Sequence, residues 1–240
     1  MALAQTIINI LIVVLIIYLI WYFFFNSKKT IHECQDGTKS KVIKAEKLSG
    51  NKGSSNFAWS LWFYVSDWSY RIGEKKVLLS RSNAASNLHG SIASGSPLVY
   101  MDPFENNLNV TVATMQSGLN QPTSTPDCSV ANIPLQRWVN AIVSLNNRTL
   151  DVYVQGKLVR TCILPGVAKV NHNASAIVTP EGGFKGFTSN YQYFDHPLNP
   201  QEAYNIYAAG PGCGGQSWFD KYQIRLSYLV NNQEEGYIVV

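Results

Sequence analysis

The segment QRWVNAIVSLNNRTLDVYVQGKLVRTCIL, residues 136–164, constrains the fold more than any other part of the chain. Trp138, Asn140, Ile142 and Ser144 alternate with Val139, Ala141, Val143 and Leu145, the period-two pattern of a strand. NNR offers a turn, TLDVYV a second strand, QGK another turn and LVRTCIL a return strand. Strands joined by such short turns pair antiparallel, because a parallel crossover needs about a dozen residues or more.

The same signals recur along the body. In NFAWSLWFYVSDW, Phe57, Trp59, Leu61, Phe63 and Val65 share one face, and the other carries Trp62 and Tyr64; both faces are apolar, as in an inner strand. Further strands are expected near residues 41–48, 75–81, 96–115 (two, around a turn at Pro103–Asn107), 175–180 and 182–198, and in YQIRLSYLV and EGYIVV; residues 118–129 read as a loop. One helix is expected in NPQEAYNIY, with Asn199 as N-cap, Pro200 at the first position and Glu202 completing a capping box. These elements predict an all-β fold of two antiparallel sheets packed face to face, a jelly-roll sandwich with one short helix.

The N-terminus is of another kind. Ile7 to Phe25 carries no charge and as a helix reaches about 28 Å, close to the ~30 Å hydrocarbon core of a bilayer. A single transmembrane helix is expected there, with Ile7, Leu11, Leu15 and Leu19 in lipid and Trp21, Tyr22 and Phe25 toward one interface. Lys28 and Lys29 follow and are placed to meet lipid head groups. Positive charge on that flank favours a body on the cytoplasmic face. Lys28, Lys29, Lys39, Lys41, Lys44, Lys47 and Lys52 outnumber Glu33, Asp36 and Glu46 in residues 28–55, and this segment accounts for the whole net charge of +4. The body has no basic surplus, which argues against nucleic acid as a partner. The expected division is an anchor over residues 1–27, a Lys-rich stalk over 28–55 and a sandwich over 56–240. Sequons at Asn109, Asn147 and Asn173 carry no weight if the body never enters a secretory lumen.

The ordered blocks FAWSLWFYV, LQRWVNAIVSLNNRTLDVYVQGKLV and GGFKGFTSNYQYFDHPLNPQEAYNIY resemble concanavalin A-like, laminin-G-like jelly-roll domains over roughly Asn56 to Gly210. Trp138, Tyr153, Val154 and Gly156 match the family's hairpin; Gly186, Tyr193, Leu198, Pro200, Glu202, Ile206 and Tyr207 match its closing segment. The resemblance implies the jelly roll and leaves function open, since the family holds carbohydrate binders, protein-binding modules and glycoside hydrolases. With the anchor and lysine stalk, the chain is also similar to membrane-anchored minor capsid proteins of large icosahedral DNA viruses.

Catalytic signals are weak. Hydrolases of this fold use carboxylates in a pattern like E-x-D-x-x-E, which this chain lacks; Asp102 and Glu105, flanking a Pro turn, come closest to a pair. Asp195 and His196 are adjacent, and in a strand would point to opposite faces. His32, His89, His172 and His196 are scattered without metal-ligand spacing. Asp102, Asn106, Asn107 and Asp127 form a calcium candidate, against the plainer reading that they cap their own turns. No catalytic residue, metal or cofactor is expected. A cytoplasmic body argues for free thiols; if a bridge exists, Cys128–Cys162 is the preferred pair and Cys34, in the stalk, the poorest candidate. Trp68, Tyr70, Tyr191 and Trp218 are the candidate surface for a protein partner or glycan.

The leading expectation is a non-enzymatic, membrane-anchored structural protein that links a virion's internal membrane to its capsid shell, with the bilayer and capsid proteins as partners. The alternative is a membrane-tethered, lectin-like module that binds carbohydrate.

Overall fold

The computed structural model describes residues 9, 11–18, 30–48, 54–81, 96–115, 122–124, 128–213, 225–230 and 233–239. The chain divides into two units, Met1–Thr30 and Ile31–Val240.

In the first unit, residues 11–18 are helical, and the side chains from Leu11 to Tyr18 are each 49% or more exposed. No helix among the described residues is long and apolar enough to cross a membrane. The span expected over Ile7–Phe25 lies partly outside the described residues, as do Ile7, Leu19, Trp21, Tyr22, Phe25, Lys28 and Lys29.

The second unit is the expected antiparallel sandwich. One sheet runs in the order Thr30–His32, Lys185–Phe194, Phe57–Asp67, Trp138–Asn146, Thr149–Val154, Lys157–Ile163, with Gln35–Asp36 also paired to Lys185–Phe194. The other runs Cys128–Val130, Leu108–Thr111, Leu98–Met101, Lys76–Arg81, Ala176–Val178, Lys41–Ile43. A small sheet joins Val167–Ala168, Ala113–Met115 and Pro122–Ser124, and the late strands Arg225–Val230 and Gln233–Val239 pair with each other.

The alternation read from the sequence sorts side chains as expected. Phe57, Trp59, Leu61, Phe63 and Val65 lie in the main core, facing Leu79, Val99, Met101, Leu108 and Val110 of the other sheet. Each such side chain contributes about 1.5–3 kcal/mol by leaving water. The opposite face of Phe57–Asp67 is apolar for a separate reason: the helix Pro200–Ala208 covers it. Ala58, Ile142, Tyr153, Phe194, Leu198 and Ala203 form a second cluster there, and Trp62 stacks on Tyr207 at 5.9 Å. The helix has the expected capping box, with Asn199 accepting from Glu202 N at 2.9 Å and Glu202 accepting from Asn199 N at 2.8 Å. The turn between Thr149–Val154 and Lys157–Ile163 is two residues, Gln155 and Gly156, both at positive φ (53° and 73°), the form that matches strand twist.

Several expectations are corrected. Residues 30–48, read as stalk, supply strands to both sheets; Lys41–Ile43 pairs with Ala176–Val178, and Ala45–Leu48 is a 3-10 turn instead of more strand. Lys39, Lys41, Lys44 and Lys47, which gave this stretch its linker character, are all exposed and leave Ile43 and Leu48 to the core. Residues 96–115 make three strands, because the chain changes sheets after Thr111. The loop at 118–129 contains Pro122–Ser124 and the start of Cys128–Val130.

Both cysteine expectations meet a definite outcome. Cys128 and Cys162 are bridged as preferred, and Cys34 is bridged to Cys213. Cys34 pairs because its segment is an edge of the sandwich, lying beside Lys185–Phe194.

Candidate functional site

At one end of the sandwich a cleft of about 610 Å³ opens between loops. Its walls come from Trp68, just beyond the strand Phe57–Asp67, from the turn Phe104–Asn107, and from Ala131, Asn132 and Leu135 ahead of the strand Trp138–Asn146. The volume falls within the roughly 300–1,000 Å³ usual for ligand pockets.

Local hydrogen bonds fix these loops. Asp102 Oδ1 accepts from Phe104 N at 3.1 Å and Glu105 N at 3.3 Å, which holds the turn and presents both side chains. Asn106 Nδ2 donates to Ile133 O at 2.9 Å, and Ile133 N donates back to Asn106 O at 2.8 Å. Asn107 Nδ2 donates to Glu105 Oε2 at 2.6 Å, while Asn107 Oδ1 accepts from Asn132 N at 3.1 Å. A chain of bonds from Glu105 through Asn107 to Asn132 thus crosses the cleft and locks its two loops in register. Asn132 stands at φ 59°, a conformation Asn tolerates.

Two aromatic rings serve the cleft in different ways. Trp68 packs partly against the core, with the Lys76 ammonium 4.4 Å from its ring centroid. Lys76 is fully buried and donates to Arg71 O at 3.3 Å; burial, then the Arg71 charge, lowers its pKa from the usual lysine value. That cation fixes the tilt of the indole. Phe104 is 73% exposed and has no place in the core.

The other aromatic candidates fare differently. Tyr191 is fully buried, its hydroxyl donating to Leu78 O at 3.5 Å, and burial pushes its pKa up. It is a core residue and no surface, because strand Lys185–Phe194 points it inward. Tyr70 is half-buried near Gly182 and does not line the cleft; Trp218 lies outside the described residues. A second aromatic group runs in register over three strands: Tyr64 lies 5.8 Å from Trp138 and 6.4 Å from Phe187. Those rings are tilted by 57° and 50°, so they offer no common plane for stacking.

Of the calcium candidates, Asp102 uses its carboxylate to hold its own turn, Asn106 and Asn107 use their amides to tie that turn to the loop of Asn132 and Ile133, and Asp127 lies outside the described residues. No group of His, Cys, Asp and Glu suited to a metal occurs among the described residues. Asp195 and His196 do meet, Nδ1 to Oδ1 at 3.0 Å. The strand ends at Phe194, so both lie in the following bend and the expected opposition of faces does not apply. The pair is well exposed.

Among the described residues, His32 is the buried imidazole. It is 1% exposed, 3.0 Å from Thr188 Oγ1 and edge-on to Tyr191 at 5.2 Å. Burial first, and Lys41 second, pull its pKa from 6.5 down to about 4. The unfolded chain therefore binds a proton that the folded chain refuses between those values. Stability should fall as pH drops from about 6.5 to about 4, by about 3 kcal/mol in all, and then level off. Urea unfolding across this range measures the slope; His32→Gln should flatten it.

Phe104 and Asn132 were not singled out from the sequence as binding residues. The signal lay in MDPFEN, where an aromatic at the tip of a Pro turn has no core to enter. Asn132 carried none, since its loop partner lies far away in sequence.

The family model described as the Concanavalin A-like lectin/glucanases superfamily matches residues 36–203. No curated protein matches the chain. Among solved structures, domain 4 of AbnA, a GH43 extracellular arabinanase from Geobacillus stearothermophilus in complex with arabinotriose, is similar at TM-score 0.50 and 14% identity, covering 72% of this chain and 74% of that one. The binding domain of botulinum neurotoxin DC is similar in complex with rat synaptotagmin II (TM-score 0.51, 11% identity, 71% of this chain and 40% of that one). It is also similar in complex with SialylT (0.51, 12%, 71% and 39%). This chain therefore spans well under half of those toxin domains, and at such identities the likeness is one of fold. The match over most of the sandwich, beginning in the segment read as stalk, places this chain in the Concanavalin A-like lectin/glucanases superfamily.

Proposed function

We propose that the chain is a membrane-tethered, lectin-like module that binds carbohydrate in the Trp68–Phe104 cleft. The observation that carries this reading is the composition of the cleft: apolar ring faces stand beside amide and carboxylate groups already fixed by hydrogen bonds. A sugar presents the matching chemistry, with C–H faces to stack on rings and hydroxyls that both donate and accept. Preorganised loops lower the entropy cost of binding. The relatives support the reading, since one is a domain with bound arabinotriose and another a toxin binding domain with bound SialylT. The capsid reading rests on the N-terminal segment and the sequence pattern alone.

Attachment to a bilayer rests on the uncharged run Ile7–Phe25 and the exposed apolar helical residues 11–18. Two indications of sidedness disagree. Lys28 and Lys29 favour a cytoplasmic body, whereas two disulfides favour an oxidising compartment. We give weight to the disulfides, because they involve all four cysteines and the lysine bias rests on a short flank. On that side Asn147 and Asn173, both exposed, should carry N-glycan, and Asn109, 5% exposed in a strand, should not. Peptide mass mapping after deglycosylation reads this out; bare sequons with free thiols would put the body in the cytosol.

The test of binding is a glycan array probed with the full chain in detergent. The expected result is retention on a defined set of oligosaccharides and loss of that signal in Phe104→Ala. Failure to retain any glycan, with capsid protein co-purifying at fixed stoichiometry, would favour the structural reading instead.

A further inference from the structure

We infer that the cleft selects neutral glycans against acidic ones, and that Glu105 is the residue that sets this choice. The inference rests on the carbohydrate-binding reading above.

Among the described residues, the cleft lining holds one charged side chain, Glu105, and no Lys, Arg or His. Arg137, exposed and two residues beyond Leu135, is not part of the lining, and two cations near the Trp68 wall are already committed. Lys76 is fully buried against Trp68 and bonded to Arg71 O, and Arg71 is paired with Glu74. Neither offers a free charge to a ligand carboxylate. Proteins that recognise acidic groups meet them with a cation or a fork of donors; this cleft meets them with a carboxylate.

Glu105 is also held in place. Asp102 fixes its backbone N–H, and Asn107 Nδ2 fixes Oε2 at 2.6 Å. The Asn107 bond engages Oε2, and no hydrogen bond engages Oε1 among the described residues. A carboxylate is an acceptor only, so Oε1 suits a sugar hydroxyl, which donates, and repels a uronic or sialic carboxylate, which cannot. Asn106 Oδ1 adds an acceptor, and the Asn132 amide adds both a donor and an acceptor. The lining therefore fits hydroxyl-rich, uncharged rings. Repulsion between two unit charges at about 4 Å, even in bulk water, weakens an acidic ligand by about fivefold, and more where the cleft excludes water. Like-charge exclusion of this kind is a general route to specificity.

The experiment uses the full chain in detergent and matched pairs of oligosaccharides, each neutral chain set beside its sialylated or uronic-acid counterpart. Equilibrium titration should show the neutral member bound at least about fivefold more tightly at low salt, with the ratio shrinking as salt screens the repulsion. Glu105→Gln keeps the acceptor for Asn107 and removes the charge. It should weaken neutral ligands modestly, strengthen acidic ones, and bring the two within about twofold. Equal or preferred binding of acidic glycans by the wild-type chain would overturn the inference and leave the carbohydrate reading standing. So would an unchanged ratio in Glu105→Gln. Binding of no glycan at all would remove both.

Discussion

Replacing Cys34 and Cys213 together by alanine should lower the free energy of unfolding by about 5 kcal/mol, the largest loss expected from any small change in the sandwich. The bridge spans a sequence separation of 179, against 34 for Cys128–Cys162. In the chain-entropy account, a longer loop restricts the unfolded ensemble more, which gives about 5 kcal/mol for the first bridge and about 4 for the second. The location reinforces the argument. Cys34 lies between two short edge strands that have few contacts of their own, and Cys213 follows the helix that covers the outer face. Without the bridge, the strand edge and the chain beyond the helix lose their covalent tie. Urea or thermal unfolding of each double variant measures this. The expected order is Cys34/Cys213 more costly than Cys128/Cys162, and equal stability of the first variant and wild type would contradict it.

Gly186→Ala should cost on the order of 4 kcal/mol. Gly186 pairs with Val65 at a register shift, at φ +153°, and a Cβ built on it would lie 1.8 Å from Tyr64 O. Two penalties add: a backbone region open essentially to glycine alone, about 1–3 kcal/mol, and an overlap with main chain that no rotamer change relieves, of similar size. Relief requires moving Lys185–Phe194 off Phe57–Asp67, an inner pairing of the sheet. Chemical denaturation compared with Gly210→Ala is the suitable control. Gly210 also has positive φ, but open space surrounds its built Cβ, so it should lose much less.

How much of this was legible in the sequence follows from which interactions are local. The strands Phe57–Asp67, Trp138–Asn146 and Thr149–Val154 were readable because alternation reports which face is buried, and the turn at Gln155–Gly156 because its chemistry is local. The helix was readable from Asn199, Pro200 and Glu202 alone. The edge strands Thr30–His32 and Gln35–Asp36 were not, since only two or three residues pair and nearby lysines give the composition of a linker. The Cys34–Cys213 bridge depends on that missed edge, and so was missed with it. In the cleft, Trp68 is the one lining residue that the sequence offers as a surface aromatic. Tyr191 reads from the sequence both as a surface platform and as a packing residue, because an aromatic in an alternating strand looks the same on either face until the register is known, and the structure puts it in the core. The Glu105–Asn107–Asn132 chain joins loops that only the fold brings together.

The central claim is that the Trp68–Phe104 cleft binds carbohydrate, and Phe104 gives its cleanest test. Trp68 packs partly on the core, so its loss would mix folding with binding, whereas Phe104 is 73% exposed and outside the core. The measurement is a titration of the full chain and of Phe104→Ala with the oligosaccharide best retained on the array, alongside the melting temperature of each. Loss of a stacking aromatic at a binding centre should weaken affinity about tenfold or more, with the melting temperature unchanged. Equal affinity in the two proteins would place the ligand elsewhere and contradict the account.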